Sequence, residues 1–359
     1  MTSRNEPGRA AIVGTGLIGG SLGLALRARG WFVTGSDSNE ERSTRALQIG
    51  ALDAVGDDPD ATITFIATPV GVTVRQAARM LELSTGGGVV TDVAGVKAAV
   101  SGALDHPRFV GGHPMAGSEQ VGLDGADPNL FVGAAWVLTP TSSTAASTYA
   151  TVRQVVGSLG AEVVSLSPEQ HDTLVAVVSH VPHLTAATLM NLADAGADKH
   201  AALLRLAAGG FRDMTRVAAG HPGIWPDVCA ANSQAIVATL DELVGELSAM
   251  RDRVASGDRE WLLQVLERAA LARRSLPTAA VRPERLSELR IPVPDRPGVL
   301  AEITTLAGTL GVNISDLEIA HSAEGERGVL VLVVAADDAS TLQEGLADRG
   351  YRSTAGGLE

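Results

Sequence analysis

Over roughly the first 166 residues, short apolar runs alternate with longer amphipathic stretches. Ala10 to Val13, Trp31 to Gly35, Thr62 to Ala67, Gly88 to Asp92, Phe109 to Gly112 and Ala134 to Leu138 are short and nearly continuous in apolar residues. Strands buried on both faces read this way. Helical stretches separate them, among them one from about Thr144 to Leu159. The alternation predicts a doubly wound parallel α/β sheet over residues 9–166. At Ser167-Pro-Glu-Gln170 the pattern changes. A serine N-cap, a proline at the first helical position and a glutamine at the third make a strong helix start. Helix then follows helix over residues 167–276, with breaks at Gly209-Gly210 and His221-Pro222-Gly223. The apolar stripe from Gln234 to Arg253 belongs to a helical domain expected to bury its faces against a second copy.

Residues 277–287 form a polar, proline-containing linker. Residues 288–354 carry a pattern of their own. A strand from Leu289 to Val293 is followed by a helix from Val299 to Leu310 and a strand from Val312 to Ile319. A strand from Val329 to Ala335, a helix from Ala339 to Asp348 and a short strand at Tyr351-Arg352 complete it. The order β-α-β-β-α-β predicts a small ferredoxin-like module.

Composition narrows the picture. With 45% hydrophobic but only 3% aromatic residues, the cores are built mainly of Ala, Val and Leu. A formal charge of −13 leaves no basic stripe for nucleic acid. A single cysteine, Cys229, excludes an intramolecular disulfide and fits a reducing compartment. The polar residues 1–8 lack a signal peptide's apolar segment, so a cytoplasmic protein is expected. The apolar stretch from Leu174 to Leu192 carries two histidines, a proline and several hydroxyls, and reads as a buried helix, not a membrane span.

The first strand runs into Gly14-Thr15-Gly16-Leu17-Ile18-Gly19. Gly14 makes a tight turn, Gly16 lets backbone approach a pyrophosphate, and Gly19 lets the following helix pack on its strand. A glycine turn without a ligand is the bland alternative. The next strand, however, ends at Asp37, an acid placed to accept bonds from ribose hydroxyls and to repel a 2′-phosphate. NAD is therefore expected over NADP. Ligands in such sheets sit beyond the strands' carboxyl ends, which singles out Thr68, Asp92 and His113.

Gly111-Gly-His113-Pro-Met-Ala-Gly-Ser118-Glu119 follows a predicted strand. A neutral imidazole there is suited to take a hydroxyl proton while hydride leaves the same carbon; a satisfied loop histidine is the plainer reading. In Ser179-His180-Val-Pro-His183 the two histidines share a helical face, and Pro182 is expected to kink the helix and free a carbonyl. They read as substrate ligands or as core histidines. No third ligand of suitable spacing makes them a metal site. Gly209-Gly-Phe-Arg212-Asp-Met-Thr-Arg216 sets two arginines four apart, suited to carboxylate recognition or to surface pairing with Asp213.

From Ala10 to Val237 these motifs together resemble the prephenate dehydrogenase family, the prephenate and arogenate dehydrogenases of tyrosine biosynthesis. The resemblance implies an NAD-dependent oxidative decarboxylation. Hydride leaves ring C4, His113 takes the hydroxyl proton, and the ring carboxylate departs as CO2. It further implies that Arg216 binds a substrate carboxylate and that His183 orients the ring, with Ser179 and His180 beside it. Ser118 and Glu119 would line the mouth, where Glu119 pairs with Arg216 as a gate, and Thr68 and Pro69 would lie against the nicotinamide. Arogenate in place of prephenate stays open.

One departure stands out. Where the family has Ser-Val-Lys, this chain reads Gly95-Val-Lys97. His113 is then expected to take its orientation from another hydroxyl or from water. The C-terminal module resembles an ACT domain through Asp295-Arg-Pro-Gly298-Val-Leu-Ala301. That resemblance implies a homodimer and an amino-acid effector, L-tyrosine first, near Gly298 and Asn313; a purely structural dimerisation module is the alternative. The rival functions are a different NAD-linked hydroxy-acid dehydrogenase and an NAD-binding amino-acid sensor with weak or no catalysis.

Overall fold

The computed structural model describes residues 8–117, 120, 122–197, 203–276, 286–294, 296–321 and 327–357. The chain divides into two units, Met1–Gly257 and Asp258–Glu359.

In the first unit, β1 (Arg9–Val13) enters α1 (Leu17–Arg27), followed by β2 (Phe32–Ser36), α2 (Glu40–Gln48) and the short β3 (Ala54–Val55). Next come β4 (Ile63–Ile66), α3 (Val70–Leu83), β5 (Val89–Asp92), α4 (Ala98–Ala103) and β6 (Phe109–Pro114). The sheet is completed by β7 (Ala135–Thr139), α5 (Ala146–Ser158) and β8 (Glu162–Ser165). The strand order is β3-β2-β1-β4-β5-β6-β7-β8, with the reversal of direction of growth between β1 and β4 that defines a doubly wound sheet. β1 lies inside it, paired in parallel with β2 and β4, and Ala10, Ala11, Ile12 and Val13 are all buried. Among the described strands of this sheet, β6 and β7 alone run antiparallel, a departure from the all-parallel expectation. Pairing with β7 also lengthens β6 through His113 and Pro114, so the candidate base sits at the end of a strand and not in a loop. Three of the few aromatics meet in the core, where Trp136 packs on Phe131 and edge-on to Phe65.

The helical part begins at α6 (Pro168–Val175), where Ser167 and Gln170 form the predicted capping box. A π turn over Ala176–His180 links it to α7 (Val181–Ala197). The expected kink at Pro182 is thus absorbed as a widened turn just ahead of it, where the Val181 N–H reaches back to the Ala176 carbonyl. The rod Pro168–Gly196 is long and apolar enough to cross a bilayer by length and composition. It is not the buried helix expected from its sequence. One face, with His171, Asp172 and His180, is buried, while Leu174, Val177, Val178 and Leu192 on the other are exposed. Then follow α8 (Gly209–Thr215), α9 (Trp225–Ala231) and α10 (Ser233–Ser256), which stops at Gly257 with φ +69°.

The second unit holds α11 (Arg259–Arg274), β9 (Leu286–Pro294), α12 (Val299–Thr309), β10 (Ile314–His321), β11 (Arg327–Ala335), α13 (Ala336–Asp348) and β12 (Thr354–Gly357). Its four strands form an antiparallel sheet in the order β10-β11-β9-β12. The last strand lies beyond the predicted Tyr351-Arg352. Tyr351 instead turns inward, buried against the core, after Gly350 at φ +82°. Residues 322–326, between β10 and β11, and most of the 277–287 linker lie outside the described residues.

Candidate active site

A cleft of about 1840 Å³ opens in the first unit beyond the carboxyl ends of β1, β4, β5 and β6, and α9 and the α6–α7 rod line its other side. Typical pockets for one small molecule hold about 300–1,000 Å³, so this one has room for a dinucleotide and a substrate together.

At the β1 end, Gly14 takes φ +97°, and a Cβ there would strike the Ala67 carbonyl. A Cβ on Gly19 would strike the Gly14 carbonyl, which explains the third glycine as packing between helix and strand. Gly16 differs: nothing lies within 4 Å of where its Cβ would stand, and it lines the cleft. α1 starts there with no side-chain cap and no acid in its first turn. Open backbone before free helical N–H groups fits a pyrophosphate, so these residues suit NAD. Leu17, Ile18, Thr68 and Pro69 line the same cleft. Thr15 is fully buried and faces away; its N–H and hydroxyl bond Asp37 Oδ2 at 2.8 and 3.3 Å. Asp37 lines the cleft, and the Arg42 guanidinium stands 3.4 Å from it.

At the β5–β6 end, Asp92 does not face a ligand. It lies fully buried, paired with the equally buried Lys97 ammonium, and accepts the amides of Ala94 and Gly112 at 2.9 and 3.2 Å. The pair fixes the loop that carries Gly95. Burial pushes the Lys97 pKa down, and Asp92 opposes that shift.

His113 lines the cleft, and its Nδ1 lies 2.8 Å from His171 Nε2. His171 Nδ1 in turn lies 2.7 Å from Asp172 Oδ1. Asp172 also accepts the backbone amides of Lys97 at 2.7 Å and Ala98 at 2.9 Å. The expectation that a hydroxyl or water orients His113 is therefore corrected: the partner is a histidine. On the other edge of the ring, a Cβ on Gly95 would stand 3.7 Å from His113 Nε2. Burial, with His171, Lys97 and His180 close by, pushes the His113 pKa well below the ordinary histidine value. That direction favours the neutral ring, which keeps one nitrogen lone pair to act as a base. For Asp172, burial pushes up, but the bonds from His171, Ala98 and Lys97 win, and its pKa is lowered.

On the helical side, Ser179, His180, His183 and Arg216 all line the cleft. The Asn232 amide donates to the Asp172 carbonyl at 2.8 Å and lies 3.2 Å from His180 Nδ1. That makes His180 Nδ1 the acceptor and leaves its proton on Nε2. His183 stacks flat on Trp225 at 3.7 Å, held as a ring platform. Burial lowers the pKa of both histidines. Arg212 and Arg216 are not brought together as ligands. α8 ends at Thr215, Arg216 opens a tighter turn into the cleft, and Arg212 is exposed outside its lining. Ser118 and Glu119 lie outside the described residues. In the second unit Gly298 precedes α12 with φ +93° and open space around it, and Asn313 is exposed just before β10.

Sequence reading missed His171, Asp172, Trp225 and Asn232. The available signal was two titratable residues, His171 and Asp172, on the face of α6 that also presents Val175 to the core.

Fold and cleft together define an NAD-dependent oxidoreductase. Two family models match the chain: prephenate dehydrogenase, nucleotide-binding domain, over residues 22–165, and prephenate dehydrogenase, dimerization domain, over 167–268. The chain belongs to the prephenate dehydrogenase family. It is 33% identical to the prephenate dehydrogenase of Bacillus subtilis over 347 residues, 91% of this chain and 92% of the relative. It is 32% identical to the cyclohexadienyl dehydrogenase of Zymomonas mobilis, over 75% of this chain and 96% of the relative. Among solved structures, prephenate dehydrogenase from Aquifex aeolicus in complex with hydroxyphenyl propionate and NAD+ superposes with a TM-score of 0.71 at 28% identity, covering 76% of this chain and 99% of that one. Synechocystis arogenate dehydrogenase superposes with a TM-score of 0.64 at 32% identity, over 74% and 98%.

Proposed function

We propose that this enzyme oxidises prephenate to 4-hydroxyphenylpyruvate, with His113 as general base. The observation that carries the reading is a histidine at the end of β6, in one cleft with an open glycine turn and Arg216. NAD, when bound, supplies the hydride acceptor. His113 removes the proton of the ring hydroxyl as the C4 hydrogen leaves with its electron pair. The bond to the ring carboxylate then breaks, CO2 departs, the electrons of that bond complete the aromatic ring, and the ring oxygen takes a proton back from His113. Arg216 offers a planar fork to a substrate carboxylate, a contact that an otherwise acidic protein has to supply locally. His183, backed by Trp225, orients the ring, with Ser179 and His180 beside it. Glu119 and Ser118 belong to the mouth by motif, and Arg212 keeps only a peripheral role.

Arogenate is the second reading, since Synechocystis arogenate dehydrogenase is about as similar as the prephenate enzymes. The β-α-β-β-α-β order and antiparallel sheet of the second unit support reading it as a ferredoxin-like, ACT-type module with L-tyrosine as effector at Gly298 and Asn313. A homodimer formed through the helical part, cytoplasmic and free of nucleic acid and membrane, completes the proposal. The test is NADH formation with prephenate and with arogenate, each with and without L-tyrosine. Turnover on prephenate, inhibited by tyrosine, is expected. Turnover on neither substrate overturns the function, and indifference to tyrosine overturns the effector.

A further inference from the structure

We propose that His171 is a positioning residue that fixes the tautomer of His113, and that Asp172 fixes His171 in turn. Asp172 is anchored by backbone. Its Oδ1 accepts the Lys97 amide at 2.7 Å, and its Oδ2 accepts the Ala98 amide at 2.9 Å. A carboxyl held by two backbone donors is an acceptor and stays ionised. His171 Nδ1, 2.7 Å from Oδ1, has to be the donor there and carry that ring's proton. With that single proton on the ring, His171 Nε2 is a bare lone pair. At 2.8 Å from it, His113 Nδ1 can only donate. The His113 proton is therefore on Nδ1, and its Nε2, facing Gly95 and the cleft, is the basic nitrogen.

His171 is fully buried and Asp172 is 4% exposed, so no solvent competes for these bonds. The two rings meet edge to face at 5.0 Å between centroids, which fixes the His113 plane as well as its proton. Among the described residues, the other charged and titratable groups facing His113 are Lys97, tied to Asp92, and His180, tied to Asn232. Neither of them is bonded to the His113 ring. This chain thus orients its base from the Nδ1 side through a histidine and a carboxylate, while glycine stands on the Nε2 side.

The inference rests on His113 being the base, and its test separates the two claims. The first readout is the tautomer of His113 in the intact protein, from nitrogen NMR of histidine-labelled chain, with His113→Asn assigning the signal. A proton on Nδ1 is expected; a proton on Nε2 overturns the inference. The second readout is turnover of His171→Leu and His171→Gln. Leucine removes the acceptor and is expected to lower kcat by about 10- to 100-fold, the range seen when an orienting partner of a metal-bound histidine is lost. Glutamine sets an amide oxygen near the position of His171 Nε2 and is expected to recover most of that loss. Leucine at the parent rate, or glutamine as poor as leucine, overturns the inference. If His113→Asn itself turns over normally, the base assignment falls instead, whatever the tautomer.

Discussion

The proposed base, His113, has to be neutral to act, and its surroundings favour that form. Ordinary histidine titrates near pH 6.5, while burial first and then neighbouring His171, Lys97 and His180 press His113 well below that value. The acid limb of the kcat profile is accordingly expected below about pH 6.5, and a limb at or above it would contradict the assignment. Stability has the same sign. The unfolded chain takes up protons near pH 6.5 that buried His113 and His180 refuse, so their contribution is present above that pH and is lost as the pH falls below it. Arg216→Ala is expected to raise KM for prephenate about 10- to 100-fold, the worth of a hydrogen bond between charged groups at ~1.5–3 kcal/mol. Steady-state kinetics at saturating NAD measure it, and an unchanged KM would remove Arg216 from recognition. His113, His183 and Arg216 were legible because each stands in a motif of fixed local geometry. His171 and Asp172 were not, because their partners lie 58 and about 75 positions away and are chosen by packing.

At the level of elements, the central strands were readable from their apolar runs, since burial on both faces leaves no other composition open. The edges were not. β3 has two residues and β8 is mostly exposed, so neither carries an apolar run to betray it. The antiparallel pairing of β6 with β7 is equally invisible, because an apolar strand reads the same in both directions. The Pro182 break was legible, but not its resolution as a π turn, which depends on the seating of the helix. α10 shows what the pattern states well: Val237, Val244, Leu247 and Val254 recur along one stretch and are all exposed. Two pairs of them are spaced by one heptad, the repeat of a helix that packs against another. Leu247→Glu is expected to shift a dimer to monomer in sedimentation without loss of helicity. An unchanged dimer would move the interface elsewhere.

For the whole molecule, acidity and chemistry are reconciled by locality. The formal charge of −13 would repel a dianionic substrate, yet the cleft presents Arg216, Arg42, Arg75 and Arg79 among its walls. Asp37 and Asp57 bind two of these arginines beside the glycine turn, Arg42 and Arg79. The ordering of the first unit into sheet and helical part followed from the alternation of apolar runs and from the capping box at Ser167. The central claim is that His113 removes the substrate's proton, and the most direct measurement is NADH formation from prephenate by His113→Asn with NAD affinity checked alongside. A fall in kcat of about 100- to 10,000-fold with NAD binding retained is the predicted result. Turnover near that of the parent enzyme would contradict it.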